Sequence, residues 1–365
     1  MKKERIILSC VFLLSLLLYG LTSADFAAFL LAVLVIYVIA AGIMTKVTGR
    51  AITYSFSAPS EGSKGQKSYL TFNVVNESPV PVFFCTGFIR GENKLTGTGE
   101  LLEKRFSLKP YGRKSFTLAI GDSCCGNIAV ELTEVRISDP LNLFVKKIPL
   151  LKKAETEYLV LPVVAELPIK KDELDRYDME SYRYSQNRKG DDSSETFGIK
   201  TYVPGDNIKA IHWKLSGKMG DIVLREYGLP VENHVLVIAD KRNTDENMTP
   251  EMKSEVTELY LSVLYTLAKQ GLHHDAGWYD YNLHEFQWKK IMTTDDVYEI
   301  MPYILGSPFH QDRLSSADHY IESDLDQDYG SYIYITAELQ DENTGIERLR
   351  NYGEVTIYRP ENFKQ

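Results

Sequence analysis

Positive charge is in short supply in this sequence. Its 41 Lys and Arg stand against 50 Asp and Glu, a formal net charge of −9, which excludes general nucleic-acid binding because that requires a basic face to displace counterions. Cysteine is scarce too. There are four in 365 residues, with Cys124 and Cys125 adjacent and no C-x-x-C half-site, so neither a disulfide framework nor a zinc-finger spacing is encoded. Catalytic signatures are missing: the chain contains no H-E-x-x-H, no G-x-S-x-G and no G-x-x-x-x-G-K-[ST]. No internal repeat is present. At 44% hydrophobic and 25% charged residues the chain is neither wholly disordered nor collagen-like, and its length exceeds one compact core.

Two long uncharged runs open the chain: 17 residues from Ile6 to Thr22 and 20 from Phe26 to Thr45, with Ser23, Ala24 and Asp25 between. At about 1.5 Å per residue each covers most or all of a hydrocarbon core of about 30 Å. The short connection predicts a two-helix transmembrane hairpin, since one continuous helix would carry Asp25 to mid-bilayer. Lys2, Lys3 and Arg5 flank one end and Lys46 and Arg50 the other, so the positive-inside rule puts both ends in the cytoplasm. A cleaved signal peptide ending near Ala24 is the competing reading; Phe26 to Thr45 then remains as an anchor and the body still faces the cytoplasm. Residues 1–50 carry a net +3 and the remaining 315 a net −12.

The rest reads as an α+β multidomain body. From Thr53 to Leu161, alternating runs (Tyr69–Val75, Val80–Arg90, Lys114–Ile120, Asn127–Ile137) separated by turn residues predict an antiparallel β-sandwich over 51–165. Residues 166–195 lose apolar periodicity and read as a polar linker or arm, with Tyr177, Tyr182 and Tyr184 as candidate anchors. Over 229–365, strands (His234–Asp240, His274–Asp280, Glu285–Lys289, Tyr332–Thr336, Glu354–Arg359) alternate with helices (Glu251–Gln270, Thr294–Leu305, Ser315–Ser323, Asp341–Asn351), which implies a doubly wound α/β domain.

Residues 196–228 carry the most distinctive segment. Pro204-Gly205 signals a type II turn, Asp206 is placed to cap a short helical stretch from Asn207 to Ile211, and Gly217 and Gly220 turn the chain into a strand from Asp221 to Glu226. Trp213 and Ile211 read as apolar anchors. Lys209, Lys214, Lys218 and Arg225 form a cationic cluster in an acidic chain. On the residues alone this is a turn and hairpin pinned by a buried Trp, and the order of elements does not match a phosphate-binding loop.

The segment resembles the domain-of-unknown-function 58 family, whose hallmark runs approximately R-x-Y-x-P-G-D-x-x-R-x-I-[DH]-W-K-x-[ST]-A-[RK]-x-G. Tyr202, Pro204, Gly205, Asp206, Ile211, His212, Trp213, Lys214, Ser216, Lys218, Gly220, Arg225 and Glu226 match in register over 27 positions. Lys200 and Lys209 replace Arg and Gly217 replaces Ala; loss of the bidentate fork implies looser recognition of any carboxylate or phosphate there. The apolar head, the Asp139-Pro-Leu-Asn-Leu-Phe144 run and the terminal α/β region also resemble the family's layout. That resemblance implies a von Willebrand factor A-like C-terminal domain and a MoxR-type AAA+ ATPase as protein partner of a membrane-bound assembly or interaction factor. It makes Tyr202, Pro204, Gly205, Asp206, Lys209, His212, Trp213, Lys214, Ser216, Lys218 and Arg225 the candidate partner-binding residues.

A von Willebrand A-like domain can hold a cation with D-x-S-x-S after its first strand. Here Asp240-Lys-Arg-Asn-Thr244 keeps only Asp240 and Thr244, and Lys241 and Arg242 add positive charge, so standard Mg²⁺ binding is not expected. No cofactor and no catalytic residue are expected. The alternatives are a cell-envelope hydrolase with a site between the soluble domains, and adhesion at the cell exterior, which needs the opposite topology.

Overall fold

The computed structural model describes residues 2–22, 25–49, 51–120, 123–148, 154–169, 183–190, 192–231, 235–243, 248–323, 325, 329–337 and 344–363. The chain divides into two compact units, Met1–Leu161 and Pro162–Gln365. It is a mixed α/β protein with an apolar helical N-terminus and several sheets.

In the first unit, α1 (Lys2–Thr22) and α2 (Asp25–Thr48) take up the apolar runs. Among the described residues α2 is the helix long and apolar enough to cross a membrane; at 24 residues it spans about 36 Å. Among the described residues nine strands follow: β1 (Ile52–Ser57), β2 (Glu61–Ser63), β3 (Ser68–Asn76), β4 (Val82–Asn93), β5 (Gly99–Leu108), β6 (Arg113–Ile120), β7 (Gly126–Ser138), β8 (Val145–Ile148) and β9 (Glu155–Leu161). They form sheets in the orders β1-β3-β6 and β2-β9-β7-β4-β5, with β8 on β7.

Alternation decides which side chains face inward. Leu70, Phe72 and Val74 of β3 and Leu118 of β6 share one core with Cys85 and Ile89 of β4 and Val130, Leu132, Val135 and Ile137 of β7. Phe56, Phe72, Phe106 and Phe116 meet within it, with centroids 5.1–6.4 Å apart. The sandwich departs from a purely antiparallel one because β2 pairs with β9 in parallel. None of the four cysteines forms a disulfide.

The Asp139–Phe144 run is organised by its aspartate. Asp139 Oδ1 accepts from Phe144 N at 2.6 Å, and Oδ2 accepts from Leu141 N at 3.0 Å and from the Tyr37 hydroxyl of α2 at 2.8 Å. The loop is therefore closed from within and fastened to the apolar helix.

The second unit contains β10 (Arg183–Gly190), β11 (Asp192–Thr201) and β12 (Val223–Val231), an antiparallel sheet in the order β10-β12-β11. Strand structure thus enters the segment read from its polarity as a linker; Tyr177 and Tyr182 lie outside the described residues. A larger sheet has the order β15-β14-β13-β16-β17, built from β13 (Val235–Ala239), β14 (His274–Asp280), β15 (Glu285–Ile291), β16 (Ser331–Ile335) and β17 (Glu354–Tyr358). The last four to be joined edge to edge, β14, β13, β16 and β17, are parallel, and β15 is an antiparallel edge.

Every residue of β13, β14 and β16 is buried, as expected of parallel strands covered on both faces. Leu236, Ile238, Tyr332 and Tyr334 pack on Ala317 and Tyr320 of α6 (Ser316–Glu322) and on Ile346 and Leu349 of α7 (Thr344–Arg350). Helix α4 (Pro250–Lys269) lies against β13, β14 and β16, and α5 (Thr294–Gly306) packs beside it. Capping is explicit. Thr249 caps α4 with Pro250 in its first turn, and Thr293 with Asp296 and Ser315 with Asp318 form capping boxes on α5 and α6.

Residues 163–167 run along α4. The amides of Val163, Ala165 and Leu167 donate to Glu258, Ser262 and Thr266 at 3.4, 3.2 and 2.9 Å. The match is geometric: two extended residues advance about 6.6 Å and one helical step of four advances about 6 Å. Thr266→Val is expected to cost about 1 kcal/mol and to speed amide exchange at Leu167 while leaving Val163 unchanged, as read by hydrogen-exchange mass spectrometry.

Candidate functional site

The Pro204-Gly205 turn is built from backbone and one carboxylate. Asp206 N donates to Val203 O at 3.0 Å, and Gly205 between them takes φ 112°, a conformation that a side chain would strain. Asp206 holds this turn from inside, accepting from Val203 N at 3.0 Å and from Lys200 Nζ at 2.7 Å. It is therefore not the helix cap expected from the sequence. Asn207 caps the single 3₁₀ turn Ile208–Ala210, accepting from Lys209 N at 3.1 Å, because the carboxylate of Asp206 is committed to the preceding turn.

A helix, α3 (Trp213–Met219), occupies the place read as a hairpin turn. Seven residues do not hold a helix by themselves in water. Three contacts hold this one. His212 Nδ1 accepts from Leu215 N at 3.3 Å as the N-cap, which puts the proton of a neutral ring on Nε2. Gly220 ends the helix in the left-handed region at φ 78°, donating to Ser216 O at 3.0 Å. Ser216 Oγ donates to His212 O at 3.1 Å and accepts from Val223 N at 3.0 Å, which locks α3 to β12.

Beneath the helix, Ala210, Ile211 and Leu224 make a small apolar core with half-buried Tyr202. Ile211, 9% exposed, fills the role of apolar anchor. Trp213 does not. It is 69% exposed, because as the first helical residue it leaves the core to the residues paired with β12. Lys209, Lys214, Lys218 and Arg225 are exposed as well, and none forms an ion pair among the described residues. The motif thus separates into side chains that build it (Tyr202, Asp206, His212, Ser216), a turn that shapes it (Pro204, Gly205), and one Trp with four cations facing solvent.

The second candidate, the end of β13, is arranged differently. Asp240 is buried, and Oδ1 accepts from Arg242 N at 3.2 Å and Ser316 N at 3.3 Å. Burial pushes its carboxyl pKa up, opposed by the Tyr334 hydroxyl and the charge of Arg242. Lys241 turns into the core and donates to Ile304 O at 2.6 Å and Ser307 O at 2.9 Å, satisfying carbonyls at the end of α5. Thr244 lies outside the described residues. A carboxyl held toward its neutral form beside a guanidinium is a poor cation ligand, and no group of three His, Cys, Asp or Glu side chains among the described residues could hold a metal ion.

Sequence reasoning missed a cluster near this strand end. The Tyr279 ring stacks on His319 at 3.6 Å and meets His310 edge-on at 5.2 Å, and His319 Nε2 lies 3.5 Å from Asp312 Oδ2. These residues come from β14, a loop and α6, so no spacing along the chain announces them. His310 is paired through its backbone with Arg242, and burial lowers its pKa to about 4.

No protein-family model and no curated protein matches the chain. Among solved structures, the CARDB domain of the PF1109 protein from Pyrococcus furiosus is similar at 14% identity and TM-score 0.24, over 30% of this chain and 87% of that one. A β-glucosidase from Listeria innocua (15%, TM-score 0.21) and a transglutaminase from red sea bream (16%, TM-score 0.22) match 30% of this chain and 16% and 15% of their own. Likeness at that level carries no argument about this chain.

Ser216→Ala is expected to remove the lock between α3 and β12 at a cost of about 1–2 kcal/mol, with faster amide exchange at Val223. His310 binds fewer protons folded than unfolded, so its contribution is intact above the unfolded pKa of about 6.5 and is lost as pH falls toward 4. With Asp312, His319, Lys241 and Arg242 around it and solvent screening, a loss of about 1–2 kcal/mol is expected. Denaturation across that range should show a flatter slope in His310→Gln.

Proposed function

We propose that this chain is a membrane-anchored, non-catalytic interaction protein whose segment 196–228 binds a protein partner, an AAA+ ATPase of the MoxR type. The observation that carries the reading is the exposed Trp213 with four exposed cations that form no ion pair among the described residues, on a scaffold whose polar residues are consumed internally. Trp and Arg are frequent energetic centres of interfaces. Exposed cations on a chain of net −9 would steer an acidic partner surface to one place and leave the rest of the body repulsive. The match to the domain-of-unknown-function 58 hallmark supplies the partner's class.

The anchor in this reading is a two-pass hairpin of α1 and α2 with its basic ends, and hence the body, in the cytoplasm. The parallel sheet of 229–365 is taken as the von Willebrand A-like domain; its strand order and burial on both faces are compatible with that assignment. Lys214→Glu, Lys218→Glu and Arg225→Glu, tested singly against a purified MoxR-type ATPase from the same organism, are each expected to weaken binding about tenfold and to leave the melting temperature unchanged. Undiminished binding by all three variants would overturn the proposal.

A further inference from the structure

Inward positions of β4 alternate through Cys85, Gly87 and Ile89 to Gly91. The backbone of Gly91 is outside the left-handed region, and a Cβ built there meets no atom within 4 Å. Neither backbone geometry nor crowding requires glycine at this position. What the missing side chain leaves is space. A cavity of about 300 Å³ opens here between the two sheets, lined by Leu70, Leu118 and Ile120 from one and Ile89, Leu102 and Val130 from the other. Leu70 and Ile89 are almost fully buried.

Protein interiors are otherwise close-packed. An apolar cavity of ~150 Å³ already takes up benzene, and this one reaches the lower end of the ligand-pocket range. Its mouth is acidic. Gly91 pairs with Glu100 across β4 and β5, so Glu100 shares its inward face and stands at the rim, whereas Glu92 points to the other face of the sheet with Arg90. Glu92 is paired with Arg90 at 2.9 Å, whereas Glu100 forms no ion pair among the described residues. Asn93, also in the lining, has its oxygen occupied by the amides of Leu95 and Thr96 and its nitrogen by Cys125 O, so it does not compete for a ligand's head group.

We propose that this cavity binds a small amphiphile with an apolar body and a cationic head: the body fills the space left by Gly91 and an ammonium meets Glu100 at the rim. An anionic head would face an uncompensated carboxylate. This inference is independent of the partner-binding reading and concerns only the first unit.

The test uses the full chain in nanodiscs of zwitterionic lipid, titrated with 4-(4-fluorophenyl)butylammonium and followed by fluorine NMR against empty nanodiscs. Expected are saturable binding beyond that of empty discs, affinity for the matching carboxylate lower by about tenfold, weakening in Glu100→Gln, and loss of binding in Gly91→Leu. Ile120→Phe fills the cavity from the opposite sheet and gives the same loss should Gly91→Leu fail to fold. Binding no greater than to empty discs, undiminished binding by a folded cavity-filling variant, or equal affinity for the carboxylate would overturn the proposal.

Discussion

The candidate site depends on one hydroxyl. Ser216 Oγ donates to His212 O and accepts from Val223 N, joining a seven-residue helix to the strand that follows it. Without that bond and the His212 cap, α3 is too short to persist, since helix nucleation is costly and only a few residues repay it. Everything displayed by the segment follows from α3 staying in place. Trp213 and Lys214 begin it, Lys218 lies in its last turn, and Arg225 belongs to the strand to which it is locked. A rigid platform is what makes an exposed aromatic useful, because less ordering entropy remains to be lost on binding.

A second constraint shapes the end of β13. Asp240 and Lys241 follow β13, adjacent and both buried, and are tied to different helices. Each is satisfied separately: the carboxylate by amides from its own loop and from α6, the ammonium by carbonyls ending α5. Burying a polar or charged group is tolerable only when its hydrogen bonds are supplied in this way. Two residues that read in sequence as a degraded cation site serve as fasteners for two helices.

Much of the architecture was legible from periodicity. His274–Asp280 forms the strand expected, and the helices begin and end within a few residues of their cap and glycine signals. Regions where two signals conflict were not legible. Strand β5, GELLEKRFSL, mixes charge with paired leucines and shows no clean alternation. Helix α3 carries two glycines in or beside it, which reads as a turn until the Ser216 bond is known. The ladder of 163, 165 and 167 on α4 uses Ser262 and Thr266, and nothing in the sequence relates those hydroxyls to amides about a hundred positions away. In the site, the identities of the turn and the cationic residues were readable. The exposure of Trp213 was not, because a Trp in a short apolar context looks like core.

Lys200 shows how a departure from a motif can be internal rather than functional. Arg at this position would present a planar fork suited to both oxygens of a carboxylate. In this chain Asp206 divides its oxygens: Oδ1 accepts from Lys200 and Oδ2 from the Val203 amide that shapes the turn. A point-charge ammonium takes one oxygen and leaves the other for the backbone, whereas a bidentate guanidinium would compete for both. Lys200 therefore belongs with the residues that build the segment. Its single bond to Oδ1 bears on the stiffness of the Pro204-Gly205 turn.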